Sequence, residues 1–402
     1  MYSLRLSEEQ AAIRESVREF VAGEITPVAT RPERLEPFDV PLAMDLVDAA
    51  GALGLRTLAL AEEAGGAGAD MLTCCLVAEE LAAGDVDVAS VLGWTSVLGG
   101  LLFNELMTDG QRARFVGDFT ADNRYHLALA DREEGMATAL GIDYHRATAD
   151  RFGIATTATR DAGGDWVVNG TKTRIANAPV AKLFAVLVQA GDAPAIFLVP
   201  ADTAGLAVTE TPRDGGWYHG ALGDVTFTDC VVPAANALEP GAVAKLTAPG
   251  ADFIAPVLQA INLGVGRAAY DAAVEYSGVR VQGGRRIIEH QAIGAKLAEI
   301  AINLETVRNA IWRAAWVADN PDAASDGNAP PLPLAKISQV VTAERVYRAT
   351  KDSAECFGAM GVMRDMPLQK YIHVSRVFLH TGDGVSDAKL RIAEAIAGHV
   401  RG

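Results

Sequence analysis

Asp161-Ala162-Gly163-Gly164-Asp165-Trp166-Val167-Val168-Asn169-Gly170-Thr171-Lys172-Thr173-Arg174-Ile175-Ala176-Asn177 is the stretch on which the reading of this chain turns. Its first five residues are a hairpin signal, because glycine supplies the positive φ that a tight two-strand turn requires. Trp166-Val167-Val168 is the returning strand, and Asn169-Gly170 reads as a further tight-turn dipeptide. Upstream, Ile154 to Arg160 is β-branched and threonine-rich. Downstream come short apolar runs at Phe184 to Val188, Ala195 to Val199, Val225 to Phe227 and Val231-Val232. From Tyr125 to about Pro240 the chain therefore reads as a meander of antiparallel strands, a small barrel or sandwich.

On either side the period changes to that of helices. Ser7 stands three residues before Gln10, a capping-box signature, and Ile13, Val17, Phe20 and Val21 follow at helical spacing. Helices are expected at Leu42–Leu53, Met71–Ala83, Val88–Leu106 and Gln111–Phe119. After the β-block, Leu297, Ile300, Leu304, Val307 and Ile311 step by three and four residues, the stripe of a bundle helix. Ala323 to Pro333 is loop, and a long helix runs from Leu334 to about Phe357. The expected fold is α+β in three domains: N-terminal helices (1–124), a central β-domain (125–240) and a C-terminal four-helix bundle (241–402).

Composition limits the function. Fifty-one acidic side chains face 35 basic ones, a formal charge of −16, which argues against a nucleic-acid or anionic-lipid partner. An anionic ligand would need a local basic pocket. No apolar run approaches the roughly 20 residues of a membrane span, and the start shows no secretory signal. Four cysteines without CxxC spacing suggest neither disulfides nor zinc, so no metal is expected and a reduced, cytoplasmic protein is.

Five segments, in order, resemble motifs of the acyl-CoA dehydrogenase superfamily. Leu127-Ala128-Leu129-Ala130-Asp131 resembles the strand "alTEPgaGSD", and Val168 to Asn177 resembles "iNGxKxWITN", the most specific match. Arg280 to Ile287 with Gln291 resembles "RxxFGxPIxxxQ", Glu355 to Gly361 resembles "QxxGGxG", and Pro367-Leu368-Gln369-Lys370 up to Asp383 follows. The resemblance implies FAD between the β-domain and the bundle, with a second subunit covering its adenine end. It implies an acyl-CoA or other acyl thioester as substrate: a carboxylate removes the α-proton and the β-hydrogen leaves as hydride to the flavin. It also implies at least a dimer, either a homo-oligomer (dimer or tetramer) or a heteromer with a paralogue.

Carried over residue by residue, the resemblance places the cofactor at Leu129, Asp131, Arg174, Ala176, Arg280, Gln291, Glu355 and Gly358. Several positions depart from the family pattern. Ala130 stands for the threonine at the flavin edge, Arg174 for the flavin-covering tryptophan, Ala176 for the next hydroxyl donor, and Glu355 for the glutamine. Glu133-Glu134-Gly135-Met136 replaces the small run that approaches phosphate, setting two carboxylates near a pyrophosphate. At the base position an ungapped reading gives Gly382, and a one-residue shift gives Asp383, the candidate catalytic base. The alternative base position on the first bundle helix is Ile254, which cannot act as one. Simpler roles stand beside these: Asp383 as a helix cap, Arg280, Arg285 and Arg286 as a solvated basic face, and Glu355 and His290 as surface residues. Arg174 could instead pair with a carboxylate in the β-domain, and His373 and His380 fall on the path to the site.

Four functions follow. The first is an FAD-dependent acyl thioester oxidoreductase. The second is a half-site subunit that pairs with a paralogue. The third is a flavin-dependent monooxygenase on the same fold, and the fourth is a flavin-free enzyme using the acyl cleft.

Overall fold

The computed structural model describes residues 5–35, 40–134, 154–247, 253–324, 332–381 and 384–398. Helix α1 (Glu8–Phe20) opens with the expected capping box: Ser7 Oγ accepts from the Gln10 N–H at 3.0 Å, and the Ser7 N–H donates to Gln10 Oε1 at 3.1 Å. A wider turn leads into α2 (Thr26–Ala29), then α3 (Met44–Ala52), α4 (Met71–Gly84), α5 (Val86–Gly99) and α6 (Asp109–Ala121). The helical stretch from Val86 to Leu106 spans 21 residues and has the length and apolar character of a membrane-crossing helix, contrary to the expectation from sequence. Most of it is buried against α4, the sheet and the bundle, so it is a core helix that is apolar all round.

The β-block is one seven-stranded sheet with β1 (His126–Ala130), β2 (Thr157–Arg160), β3 (Trp166–Ala176), β4 (Ala181–Ala190), β5 (Ala193–Pro200), β6 (Leu206–Glu210) and β7 (Leu222–Val232). The expected antiparallel meander is corrected in two places, because β4 pairs in parallel with both β1 and β2. β1 and β4 are buried on both faces. Leu127, Leu129, Leu183, Ala185 and Leu187 pack toward the helices around Phe103 and Phe119. Ala128, Ala130, Phe184, Val186 and Val188 pack inside the sheet with Val168, Val225 and Phe227. That is why these strands read as unbroken apolar runs rather than alternating ones.

Asn169-Gly170 is also corrected: it forms a bulge inside β3, not a turn. Gly170 has φ +139°, and a Cβ there would lie 2.7 Å from the Thr156 Cα, so only glycine fits without movement. Asn169 closes the bulge by accepting from the Asp229 N–H at 2.8 Å.

The C-terminal part contains α7 (Gly241–Thr247), α8 (Ala255–Val279), a short hairpin of β8 (Val281–Gln282) and β9 (Arg285–Arg286), α9 (Gln291–Asp319), α10 (Leu334–Cys356), α11 (Leu368–Val377) and α12 (Gly384–Ala397). The stripe Leu297, Ile300, Leu304, Val307 and Ile311 is buried as its spacing predicts. A buried acidic pair on α4 ties the N-terminal helices to this bundle. Glu80 accepts from Arg267 at 2.8 and 2.5 Å and from Arg18 at 2.8 Å, and Glu79 accepts from Arg308 at 2.8 Å. Bidentate guanidinium contacts of this kind fix orientation as well as charge.

Candidate active site

The motif residues gather in two places. The first is the corner where β1 leaves the sheet beside β3. The Leu129 side chain packs into the helix-facing core, so only its backbone could meet a ligand. Asp131 and Arg132 follow, and the Arg132 carbonyl accepts from the Thr173 N–H at 2.9 Å, joining the two strands. Arg174 and Ala176 lie at the bulged end of β3. Arg174 has φ +54°, held by its N–H donating to Asp224 Oδ1 at 2.8 Å, and its side chain is exposed. An expected ion pair across the β-domain is thus replaced by this backbone bond.

Asn177 ends the motif in the left-handed region, at φ +64°. Its buried amide donates to the Val91 carbonyl at 3.0 Å, Thr95 Oγ1 at 3.2 Å and the Leu127 carbonyl at 3.3 Å. Thr95 in turn meets His126 Nδ1 at 3.1 Å. Burial pushes the His126 pKa down to about 4, with Arg56 adding to the effect, so the ring is neutral near pH 7. This network clamps α5, β1 and β3 together. Its only trace in the sequence is the asparagine that closes the motif.

Glu133 does not face a ligand, contrary to the expectation that it would oppose a pyrophosphate. It turns inward, accepting from Lys172 Nζ at 2.6 Å, the Ala155 N–H at 2.7 Å and the Thr156 N–H at 2.9 Å. Burial alone would raise its carboxyl, but the Lys172 bond and the donors from Ala155 and Thr156 hold it below the ordinary value. Lys172 is fully buried. Its motif lysine therefore serves to neutralise Glu133, and one of the two suspect carboxylates is removed. Glu134 stays exposed.

The second place is the far end of the bundle. Arg280 follows α8 and is exposed, and its carbonyl accepts from the Ile287 N–H at 2.8 Å. Gln291 is the first residue of α9 and is also exposed. His290 caps the turn, meeting the Gln282 carbonyl at 3.0 Å and receiving Arg285, while Arg286 pairs with Glu289 at 2.7 Å. Glu355 lies at the same end on α10, paired with Lys296, which draws its carboxyl below the ordinary value. Gly358 follows with φ +59°, and the stacking of Phe357 on Tyr276 at 4.1 Å brings this segment to the end of α8.

Helix α8 runs from the N-terminal core to the second place. Ile254, at the start of α8, belongs to the same core cluster as Trp94 and Phe253 beside α5. Arg280 lies beyond the other end of this 25-residue helix, roughly 37 Å away at 1.5 Å per residue. Phe378, which follows α11, is tied to the β-domain through His219, whose ring lies 4.7 Å from its own. Asp383 and Gly382 lie outside the described residues, as do Gly135 and Met136. His380 is exposed on the same connection, and His373 Nε2 meets the Gly216 carbonyl at 2.8 Å.

Between α4, α5 and the start of α8 is an apolar cavity of about 10 Å³, lined by Leu58, Cys74, Leu92, Gly93 and Val257 among others. Its walls are close: a Cβ on Gly93 would lie 2.9 Å from Val257 Cγ1.

Helices, a mixed sheet and a helical bundle, with motif residues split between the sheet corner and the far bundle end, define the three-domain dehydrogenase class. The description "Acyl-CoA dehydrogenase, N-terminal domain" matches residues 7–122, the middle domain matches 145–230 and the C-terminal domain matches 254–397. Benzylmalonyl-CoA dehydrogenase of Aromatoleum aromaticum is 31% identical over 98% of this chain and 99% of its own. Human mitochondrial short-chain specific acyl-CoA dehydrogenase is 28% identical over 99% of this chain and 91% of its own. This chain belongs to the acyl-CoA dehydrogenase family. Butyryl-CoA dehydrogenase from Megasphaera elsdenii shares the fold with a TM-score of 0.81 at 24% identity, covering 97% of this chain and 98% of its own. Glutaryl-CoA dehydrogenase from Mycobacterium smegmatis, in complex with FADH2, gives a TM-score of 0.81 at 21% identity over 98% and 95%.

FAD is the cofactor of this family, and the described residues fit it. The inward turn of Glu133 removes a charge that would repel phosphate. The buried Thr173 hydroxyl, beside Arg174, has no partner among the described residues, and Arg174, Arg280 and Gln291 are exposed at their motif positions.

Proposed function

We propose that this protein oxidises a short acyl-CoA thioester with FAD, in an assembly of two or more subunits. The separation of the two motif clusters carries this reading. The β1–β3 corner of one subunit holds the flavin ring, and Arg280 and Gln291 of another hold the pyrophosphate and adenine end. The length of α8, roughly 37 Å, sets Arg280 at the opposite end from Ile254 and supports dividing the two roles between subunits.

FAD, when bound, supplies the hydride acceptor. The chain provides the rest. Arg174 and the orphaned Thr173 hydroxyl are donors at the corner. Asp383, by its position in the sequence, takes the α-proton, and a dry setting is what such a carboxylate needs to act as a base near neutral pH. The acyl group lies toward the cavity beside Leu92 and Val257, which has room for about one water, so a long chain would have to displace side chains. Four buried, unpaired cysteines suit a reducing compartment and support a cytoplasmic reaction.

A second reading is favoured by one observation. Ala130 and Ala176 leave the corner without the two side-chain hydroxyls that the family motif puts there. A paralogous subunit could supply the complete corner while this chain supplies the bundle end. The absorption spectrum of the purified protein separates the readings. Oxidised flavin bound to the chain alone supports the first. A colourless protein that gains flavin only on co-expression with a paralogue supports the second, and one that never gains it rejects both. Asp383→Asn then tests the base: unchanged turnover of butyryl-CoA would remove Asp383 from that role.

A further inference from the structure

The start of α5, the loop between β6 and β7, and α11 enclose a cavity of about 40 Å³, open to the centres of water-sized molecules. At roughly 10–15 Å³ per water by this measure, that is room for about three waters or one carboxylate group. Its wall carries Arg34, Arg213 and Lys370 against Asp85 and Asp87. Three cations and two carboxylates leave one positive charge in excess, in a chain whose overall charge is −16.

Both carboxylates are already occupied. Asp85 Oδ1 caps α5, accepting from the Asp87 N–H at 2.9 Å and the Val88 N–H at 3.2 Å, and its other oxygen faces Arg34 at 3.7 Å. Asp87 accepts from Arg213 Nη1 at 3.0 Å and from the Gly220 N–H at 2.7 Å. The arginines use their terminal nitrogens: Arg34 Nη1 donates to the Pro41 carbonyl at 3.2 Å, and Arg213 Nη1 also reaches the Val40 carbonyl at 3.3 Å. The Nε–H of Arg34 and the Nε–H of Arg213 are buried and have no partner among the described residues. Lys370 Nζ donates to the Ala29 carbonyl at 3.3 Å and has no carboxylate partner among the described residues. Buried donors go unpaired rarely. The local basic pocket that an anion would require is therefore present here.

We infer that this cavity binds the carboxylate of a small organic anion through the Arg34 and Arg213 Nε–H groups and the Lys370 ammonium. His219 and His373 complete the wall and are spent on structure, since His219 Nε2 meets the Val374 carbonyl at 3.1 Å and His373 meets the Gly216 carbonyl at 2.8 Å. The carboxylate could be free in solution or carried at the far end of an acyl thioester.

The test is calorimetric titration of the purified protein with sodium acetate at constant ionic strength, followed in parallel by the fluorescence of Trp217, whose ring lies 5.2 Å from the cavity residue Tyr218. Saturable binding in the millimolar range is expected. Lys370→Gln and Arg34→Gln, each shown to be folded by circular dichroism, should weaken it tenfold or more. The proposal is overturned if acetate shows no saturable binding, or if both variants bind it as the wild type does. Glutaryl-CoA and butyryl-CoA then distinguish the sources. Loss of acetate binding with glutaryl-CoA alone assigns the carboxylate to a substrate, and acetate binding indifferent to either assigns it to a free anion. None of these readouts requires turnover, so they stand or fall separately from the proposed oxidation.

Discussion

Lys172→Met should open the sheet corner. The substitution removes the only cation touching Glu133 among the described residues, through a 2.6 Å contact in which the lysine is fully buried. Breaking a buried ion pair from one side costs about 3–5 kcal/mol, because the remaining charge is left in a poor solvent. Here the remaining carboxylate keeps the N–H donors of Ala155 and Thr156 at 2.7 and 2.9 Å, so the lower end, about 3 kcal/mol, is expected. Glu133→Gln strands the ammonium instead and should cost about as much. The double variant should recover most of this, with a coupling energy of about 2 kcal/mol. A three-domain chain need not unfold in two states, so the readout is native-state hydrogen exchange at the Ala155 and Thr156 amides, whose protection depends on this carboxylate. Because the folded Glu133 carboxyl sits below its ordinary value of 4.5, its contribution is complete above that pH and disappears as the pH falls through the folded value. Glu133→Gln should remove this acid limb. A coupling energy below about 0.5 kcal/mol would refute the reasoning, since it would mean the charges are hydrated rather than paired in the interior.

Other consequences can be checked more briefly. Gly170→Ala forces a side chain to φ +139° and against Thr156, so the thermal midpoint should fall by the equivalent of about 3 kcal/mol, and an unchanged midpoint would contradict the bulge geometry. His126 has a folded pKa of about 4 against 6.5 when free, so the unfolded chain takes up its proton first. Stability should fall as the pH drops from 6.5 toward 4, by at most about 3 kcal/mol from this group. His126→Gln should flatten the dependence of the melting temperature between pH 7 and pH 5, with His219 supplying what remains. Asn262 is buried, with both side-chain polar atoms unpartnered among the described residues, so Asn262→Leu should leave the melting temperature equal or higher. Arg280→Gln should weaken flavin retention tenfold or more while leaving the circular dichroism melt in place, because Arg280 is exposed and outside the core.

The helix order and the β-block were legible because each rests on local periodicity, as in the Ser7 cap and the Leu297–Ile311 stripe. The parallel pairing of β1 with β4 was not, because His126 meets Ala181, 55 residues further on, and no local pattern reports a partner that distant. Asn169-Gly170 misled for a related reason. The dipeptide reports positive φ at glycine, and a bulge satisfies that as well as a turn does. Glu133 looked hostile to phosphate because a charge can be read from sequence while its partner, 39 residues on at Lys172, cannot. Sequence spacing also could not show that Arg280, Gln291, Glu355 and Gly358 share one end of the bundle.

The length of α8 bears on what the departures from the family pattern mean. If Arg280, Gln291 and the β1–β3 corner served one cofactor within one chain, loss of the hydroxyls at positions 130 and 176 would weaken the same site that Arg280 supports. In the proposed assembly, with Arg280 at the far end of a helix roughly 37 Å long, each chain contributes one half to each of two different sites. The corner and the bundle end can then diverge independently, since damage to one half leaves the other available to a partner. An arginine and a glutamine retained beside an altered corner are what this division permits. Subunit mixing follows from it: an Arg280→Gln chain combined with an Arg174→Ala chain should form one site with both halves intact and one with neither. Flavin retention in the mixture should therefore exceed that of either variant alone. Equal retention in the mixture and in the separate variants would show that each flavin is held within a single chain.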